Sequence, residues 1–296
     1  MKILITGGTG FIGSDLVTLL STQHKICVLT RNVKKAQKKL GNIPTFIDSL
    51  NQLDELNEFD VVINLAGEPI VGKKWTEKQK IKLCHSRWDA TQQLVQLIQK
   101  SANPPKCFIS ASAIGFYGRQ QEQLLDENAA YSDEFTHQLC HEWERIALQA
   151  SEKTRVCITR IGIVLGDNGG ALEKMLPAYK FGLGGRIANG KQGMSWIHKR
   201  DLLRLFQFLM ADDKCQGIYN ATAPYPVSNS EFNKVLGNRL RRPTLLPMPA
   251  FLLNMIMGEM SELLTTGQYV IPKRAIEEGF TFNYPKLENA IGQIIG

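Results

Sequence analysis

Four glycines near the amino terminus stand at a spacing that suits a phosphate. Gly8, Gly10 and Gly13 form G-x-G-x-x-G, and Gly7, Gly10 and Gly13 form an overlapping G-x-x-G-x-x-G, both just after the apolar run Ile3-Leu4-Ile5. A strand entering such a turn lets backbone amides approach a pyrophosphate and lets the next helix pack close to its strand. The helix expected from about Phe11 to Leu20 would aim its positive end at the anion. Gly7, Gly10, Phe11, Ile12 and Gly13 are therefore expected to hold the diphosphate of a dinucleotide. The second strand, Lys25 to Thr30, ends in Arg31, with Lys34 and Lys35 behind it. A carboxylate at that position would accept from a ribose 2′-OH, whereas a guanidinium suits a 2′-phosphate, so NADP(H) is expected over NAD(H). The plainer alternative is that Arg31 opens a basic helix, Lys34 to Lys39, facing solvent.

These residues need a scaffold, and the chain supplies the pattern for one. Val61-Val62-Ile63-Asn64-Leu65-Ala66-Gly67 reads as a buried strand with a small-residue end, and Leu65, Ala66 and Gly67 are expected to line the cofactor's path. A helical stretch from about Thr76 to Lys100 stops before Pro104-Pro105. A strand follows from Cys107 to Ser112, then a helix near Glu134 to Ala150 and a strand from Arg155 to Leu165. This alternation predicts an α/β fold, a Rossmann-type doubly wound parallel sheet. Beyond Gly166 the glycine- and proline-rich texture changes to that of a small lobe. The expected division is a Rossmann domain over 1–165, with 196–223 returning to it, and an interleaved substrate lobe over 166–195 and 224–296. Asp201 is the expected cap of a helix running to Met210.

Bulk properties bound the function. The 296 residues, 43% of them hydrophobic and 21% charged, describe an ordinary globular chain. No apolar run is long enough to span a membrane, and Met1-Lys2 leads straight into a strand without a secretory pattern, so a cytoplasmic protein with no membrane partner is expected. The net charge of +7 is spread along the chain without interleaved aromatics, which argues against nucleic acid. Six cysteines show no C-x-x-C pair and no metal-like spacing, so they read as reduced thiols and no metal is expected.

Gly7 to Gly13, Asn64 to Gly67, Ser112 with Tyr117-Gly118, Arg160-x-Gly162-x-Val164-x-Gly166 and Trp196-Ile197-His198-x-x-Asp201 together resemble the extended short-chain dehydrogenase/reductase superfamily. Ser86-Arg87-Trp88, Glu142-Trp143-Glu144, Arg242-Pro243 and Pro272-Lys273-Arg274 further resemble one atypical branch, the NAD(P)-dependent epimerase-like family with a characteristic C-terminal domain. The resemblance implies a site between sheet and lobe, with a Ser or Thr, a Tyr and a Lys doing acid/base work. This chain departs from that pattern. Register with the family places Thr136 and Cys140 where Tyr and Lys are expected, and Ser112, or Ala113 in an ungapped register, stands at the serine position. Tyr269 to Lys273 repeats the spacing, but it contains Pro272 and lies in the late lobe.

Tyr117 is the best remaining proton donor, its alternative being an aromatic that packs the loop. Cys140 lies one helical turn from His137, either as a thiol-imidazole pair or as core. His198 reads as a structural histidine, and Lys73 and Lys74 as an anion site or a solvated loop. Arg160, a cation inside an apolar strand, demands a partner or a ligand. Two readings follow. One is an NADP(H)-dependent oxidoreductase or epimerase acting on a sugar-like or other small polar carbonyl or carbinol, through Ser112, Tyr117 and Cys140. The other is an NADPH-binding regulatory or sensor protein with little or no turnover. The expected partner is a small molecule, and oligomeric state is left open, a homodimer being one option.

Overall fold

The computed structural model describes residues 1–120 and 122–296. Seven apolar segments form one parallel sheet: β1 (Lys2–Thr6), β2 (Lys25–Leu29), β3 (Thr45–Ile47), β4 (Val61–Asn64), β5 (Cys107–Ala113), β6 (Arg155–Ile161) and β7 (Gly217–Ala221). Their spatial order is β7-β6-β5-β4-β1-β2-β3, which is the doubly wound arrangement. From β1 the chain winds to one edge through β2 and β3, then returns at β4 and winds to the other. The reversal between β1 and β4 leaves a crevice at the carboxyl ends of those strands.

Continuous apolar runs are required because both faces of the sheet are covered and successive side chains point to opposite faces. Ile3, Ile5, Val28 and Ile63 face one way, onto Leu16, Val17 and Leu20 of α1 (Gly13–Leu20). Leu4, Val62, Phe108 and Ile158 face the other way, onto Leu94 and Ile98 of α3 (Glu77–Lys100) and Ile146 of α4 (Phe135–Leu148). Between these, α2 (Val33–Leu40) follows β2. Each fully buried aliphatic side chain contributes roughly 1.5–3 kcal/mol, so this two-faced burial is what holds the strand ends in place.

After β6 the chain turns away. The expected strand to Leu165 breaks at Gly162, where a side chain would meet the Ser195 carbonyl at 2.4 Å. Ile163–Leu165 instead pairs in parallel with Trp196–His198. Between them runs α5 (Gly170–Lys180), and α6 (Lys199–Ala211) then packs Leu202, Phe206 and Leu209 onto the sheet before β7 joins β6. The lobe adds α7 (Asn229–Leu240) and a final helix, Leu287–Ile295, around Leu172, Trp196, Phe232 and Ile291, and α8 (Ala250–Met257), whose Met257 packs toward Trp75 and Met260. Ala275 and Phe280 pack into the sheet core with Tyr219, so the stretch around them, which sequence placed in the lobe, returns to the main body.

Two local expectations need correction. The first helix starts at Gly13 and not at Phe11, because residues 7–12 are used by the turn. Asp201 is not the cap of α6. His198 is, its Nδ1 accepting from the Arg200 amide at 3.1 Å, while buried Asp201 accepts from the Asn283 and Tyr284 amides at 2.9 and 2.8 Å. The His198 Nε2 lies 2.7 Å from Gln293 Oε1, which agrees with a structural histidine.

Candidate functional site

At the crevice the glycine turn meets the end of β4. Gly7 has φ +68°, and a Cβ there would stand 2.4 Å from the Leu65 carbonyl oxygen, so only glycine lets the two edges touch. A Cβ on Gly13 would reach the Gly7 oxygen at 2.3 Å, which seats α1 directly on the turn. Gly10 is exposed at the turn, its amide donating to the Gly7 carbonyl at 2.9 Å. The facing edge is pinned by polar groups inside the sheet. Thr6 Oγ1 accepts from the amides of Leu65 and Ala66, both at 3.1 Å, and donates to Asn64 Oδ1 at 2.7 Å. Asn64 in turn donates to Thr91 Oγ1 on α3 at 2.8 Å.

The far side of the turn is cationic. Arg31 is exposed just past β2, and Asn32 caps α2 by accepting from the Lys35 amide at 2.9 Å. Lys34 to Lys39 do form a helix, and one of its lysines reaches the turn: Lys39 Nζ donates to the Thr9 carbonyl at 2.9 Å. Residues from the lobe close over the near side. Lys199 Nζ binds Asp15 Oδ2 of α1 at 2.6 Å and Asp167 Oδ1 at 3.0 Å, and lies 4.7 Å from the centre of the Phe11 ring. Gly169 and Gly170 pack on that ring so closely that a Cβ on either would come within 2.7 Å of it. The lysine thus straps the 167–170 loop to the glycine turn.

Past Gly67 stands Arg87 of α3, donating to the carbonyls of Glu68 and Leu83, each at 3.0 Å. Its guanidinium carbon would be 3.0 Å from a Cβ on Gly67. Burial holds Arg87 below its ordinary pKa, against a smaller raising effect of nearby charges that include the Glu68 carboxylate, itself paired with Lys73 and Lys82. That pairing also accounts for Lys73, read from sequence as a possible anion site. Among the described residues no group of His, Cys, Asp and Glu could hold a metal.

The three residues expected to do proton chemistry come from β5, the turn after it and α4. Ser112, Tyr117 and Cys140 are buried, at 3%, 0% and 2% exposed. Sheet register places Arg160 of β6 between Ser112 of β5 and Asn220 of β7. Arg160 forms a bidentate pair with Glu144 of α4, at 2.9 and 2.8 Å. Ser112 donates to the same carboxylate at 2.6 Å. The Tyr117 hydroxyl accepts from Arg160 at 3.0 Å and lies 2.7 Å from Asn220 Oδ1. Burial pushes the Tyr117 phenol up to about 12. It also pushes the Cys140 thiol up to about 12, with the Glu144 charge adding to the effect. Ser112 and Tyr117 thus belong to one buried network around the Arg160–Glu144 pair. His137 is no partner for Cys140, because its Nδ1 meets the Phe116 carbonyl at 2.6 Å and its ring stacks on Tyr131. Thr136 remains half-buried beside Gly115, where a Cβ would stand 3.7 Å from its hydroxyl.

Comparison with known proteins places this geometry. Residues 3–222 match the NAD dependent epimerase/dehydratase family, and residues 248–294 match a domain of unknown function, DUF1731. The chain belongs to that epimerase/dehydratase family. It is 40% identical to the epimerase family protein YfhF of Bacillus subtilis, covering 100% of this chain and 98% of the relative. It is 33% identical to the mouse epimerase family protein SDR39U1, with 100% of both chains covered. The crystal structure of human SDR39U1 (isoform 2) with NADPH superposes with a TM-score of 0.91 at 31% identity, over 99% of each chain.

Thr6, Asn64, Arg87 and Lys199 were not among the site residues read from sequence. Asn64 carried a signal, a polar residue at the end of an apolar strand. Lys199 carried none, because its partners Asp15 and Asp167 come from distant parts of the chain.

Proposed function

We propose that this epimerase-family protein binds NADP(H) and uses it to move hydride to or from a carbonyl or carbinol carbon of a sugar-like or other small polar substrate. The observation that carries the reading is the crevice itself, where a turn that admits no side chain at Gly7 and Gly13 lies between the small edge Leu65-Ala66-Gly67 and the exposed cation Arg31. The residues fit such a cofactor. Gly7, Gly10, Phe11, Ile12 and Gly13 cradle the diphosphate, Arg31 takes the 2′-phosphate, and Leu65 to Gly67 line the path to the nicotinamide. The human relative crystallised with NADPH supports the same choice. When bound, the nicotinamide supplies the hydride chemistry. The chain's part is to orient substrate, and Thr136, at the family's tyrosine position, offers its hydroxyl to the substrate oxygen.

Purified protein titrated calorimetrically with NADPH and NADH should bind the phosphorylated form more tightly. Loaded protein exposed to carbonyl compounds and nucleotide sugars should lose the nicotinamide absorbance with at least one of them. Equal or absent heats for the two nucleotides would remove the cofactor assignment. Thr136→Val should lower turnover without changing NADPH affinity. A second reading, an NADPH-binding regulatory or sensor protein with little or no turnover, is favoured by the burial of Ser112, Tyr117 and Cys140. It requires tight NADPH binding together with an unchanging absorbance across the whole library.

A further inference from the structure

The second lobe carries an exposed apolar ridge assembled from two segments. Residues 182–188 run beside 243–248. Gly185 bridges Leu245, the Met248 amide donates to the Arg186 carbonyl at 2.8 Å, and the Ala188 amide donates to the Met248 carbonyl at 2.9 Å. Phe181, Leu183, Leu245 and Leu246 project from this ribbon, and Phe251 and Met255 continue it along α8. Phe181 and Leu245 are 80% and 83% exposed, so their side chains are almost wholly in water. Single exposed apolar residues are ordinary on protein surfaces, but six on adjoining segments mark an interaction surface.

The segments that carry the ridge are basic. Residues 174–187 and 239–257 contain Lys174, Lys180, Arg186, Arg239, Arg241 and Arg242 and no Asp or Glu. All six cations are exposed, and among the described residues none takes part in a salt bridge. Arg239 and Arg241 line a surface groove with Glu231 and Glu288, so the least compensated charge lies on Lys180, Arg186 and Arg242. Large apolar side chains flanked by uncompensated lysine and arginine match the interface of an anionic bilayer, where the apolar tips enter the headgroup boundary and the cations meet lipid phosphates. A second copy of the chain fits less well, because a two-fold contact through this face would set like charges against each other.

We propose that this ridge docks the protein reversibly on anionic lipid surfaces, with Phe251, Met255, Leu245 and Phe181 as the inserted side chains. Such a contact lies on the surface and needs no spanning helix, of which the described residues contain none. The proposal does not depend on the cofactor reading.

The test is flotation of the full chain with vesicles of phosphatidylcholine alone or mixed with phosphatidylglycerol, alongside light scattering of the free protein. Binding is expected on the mixed vesicles only, weakening as salt is raised. The double variant Phe251→Glu with Met255→Glu, its fold checked by circular dichroism, should abolish flotation. Lys180→Gln with Arg186→Gln should weaken it by roughly fivefold per cation removed. No flotation of the parent protein on either vesicle overturns the proposal, as does flotation that the double variant leaves unchanged. So does a dimer in light scattering that the double variant dissociates, since the ridge would then be a contact between copies.

Discussion

The carboxyl edge of the sheet has two halves that the chain uses in opposite ways. On the side of β1, β2 and β4 the strand ends are left open at a crevice, edged with glycine and small residues. On the side of β5, β6 and β7 the strand ends are closed by Arg160, Glu144, Ser112, Tyr117 and Asn220, which satisfy one another out of water. Both halves hold polar groups at the ends of apolar strands. The difference is that the second half is filled by side chains that pair with one another, whereas the first is edged by glycine and small residues that leave room for a ligand.

Five variants separate these halves, taken from the largest expected effect to the smallest. Glu144→Ala strands the Arg160 guanidinium in the core and should cost about 3–5 kcal/mol in chemical denaturation. The paired change Glu144→Leu with Arg160→Met should recover most of that loss, because no unpaired charge is then left buried. Gly13→Ala drives a methyl into the Gly7 carbonyl and should cost about 1–3 kcal/mol of stability, with NADPH binding weakened in calorimetry. Arg31→Ala, on an exposed residue, should leave the melting temperature alone and weaken NADPH binding roughly tenfold or more, since a bond to a charged group is worth about 1.5–3 kcal/mol. NADH affinity should not change, and a parallel loss for both nucleotides would sink the 2′-phosphate role.

Tyr117→Phe should have the smallest effect, about 1 kcal/mol of stability for a lost hydrogen bond, with no change in cofactor affinity. It also has a pH signature. The folded protein raises this phenol from 10.0 to about 12, so it favours the protonated form. The stability that Tyr117 provides is complete below pH 10.0 and is lost as pH climbs from there toward about 12. The Phe variant should therefore lose part of the alkaline sensitivity seen in the parent. An identical alkaline profile in both would place the phenol in water.

The open half was legible because its constraints are local. Gly7 to Gly13 sit within one turn, Arg31 directly follows its strand, and each residue type answers to a neighbour a few positions away. The closed half was not legible, because Ser112, Tyr117, Glu144, Arg160 and Asn220 come from four separated segments. Read singly, a hydroxyl, a phenol and a thiol near a strand end look like a catalytic set. Arg160 was the one residue whose type demanded a partner, and sequence could not say which.

The apolar ridge makes the same point on the surface. A search for a membrane partner along the chain looks for one long apolar run, and neither 181–183 nor 245–256 forms one. Pairing of those segments through Gly185 and Met248 creates the feature.

Apolar periodicity and glycine spacing by themselves determined the sheet, its winding and the place where a dinucleotide would enter, because burial and backbone sterics act between residues close in sequence. Which buried polar groups neutralise one another, which lysine straps the glycine turn and which apolar side chains stay in water were decided only by tertiary structure. Those outcomes depend on contacts between segments far apart in the chain, and residue type alone does not specify a distant partner.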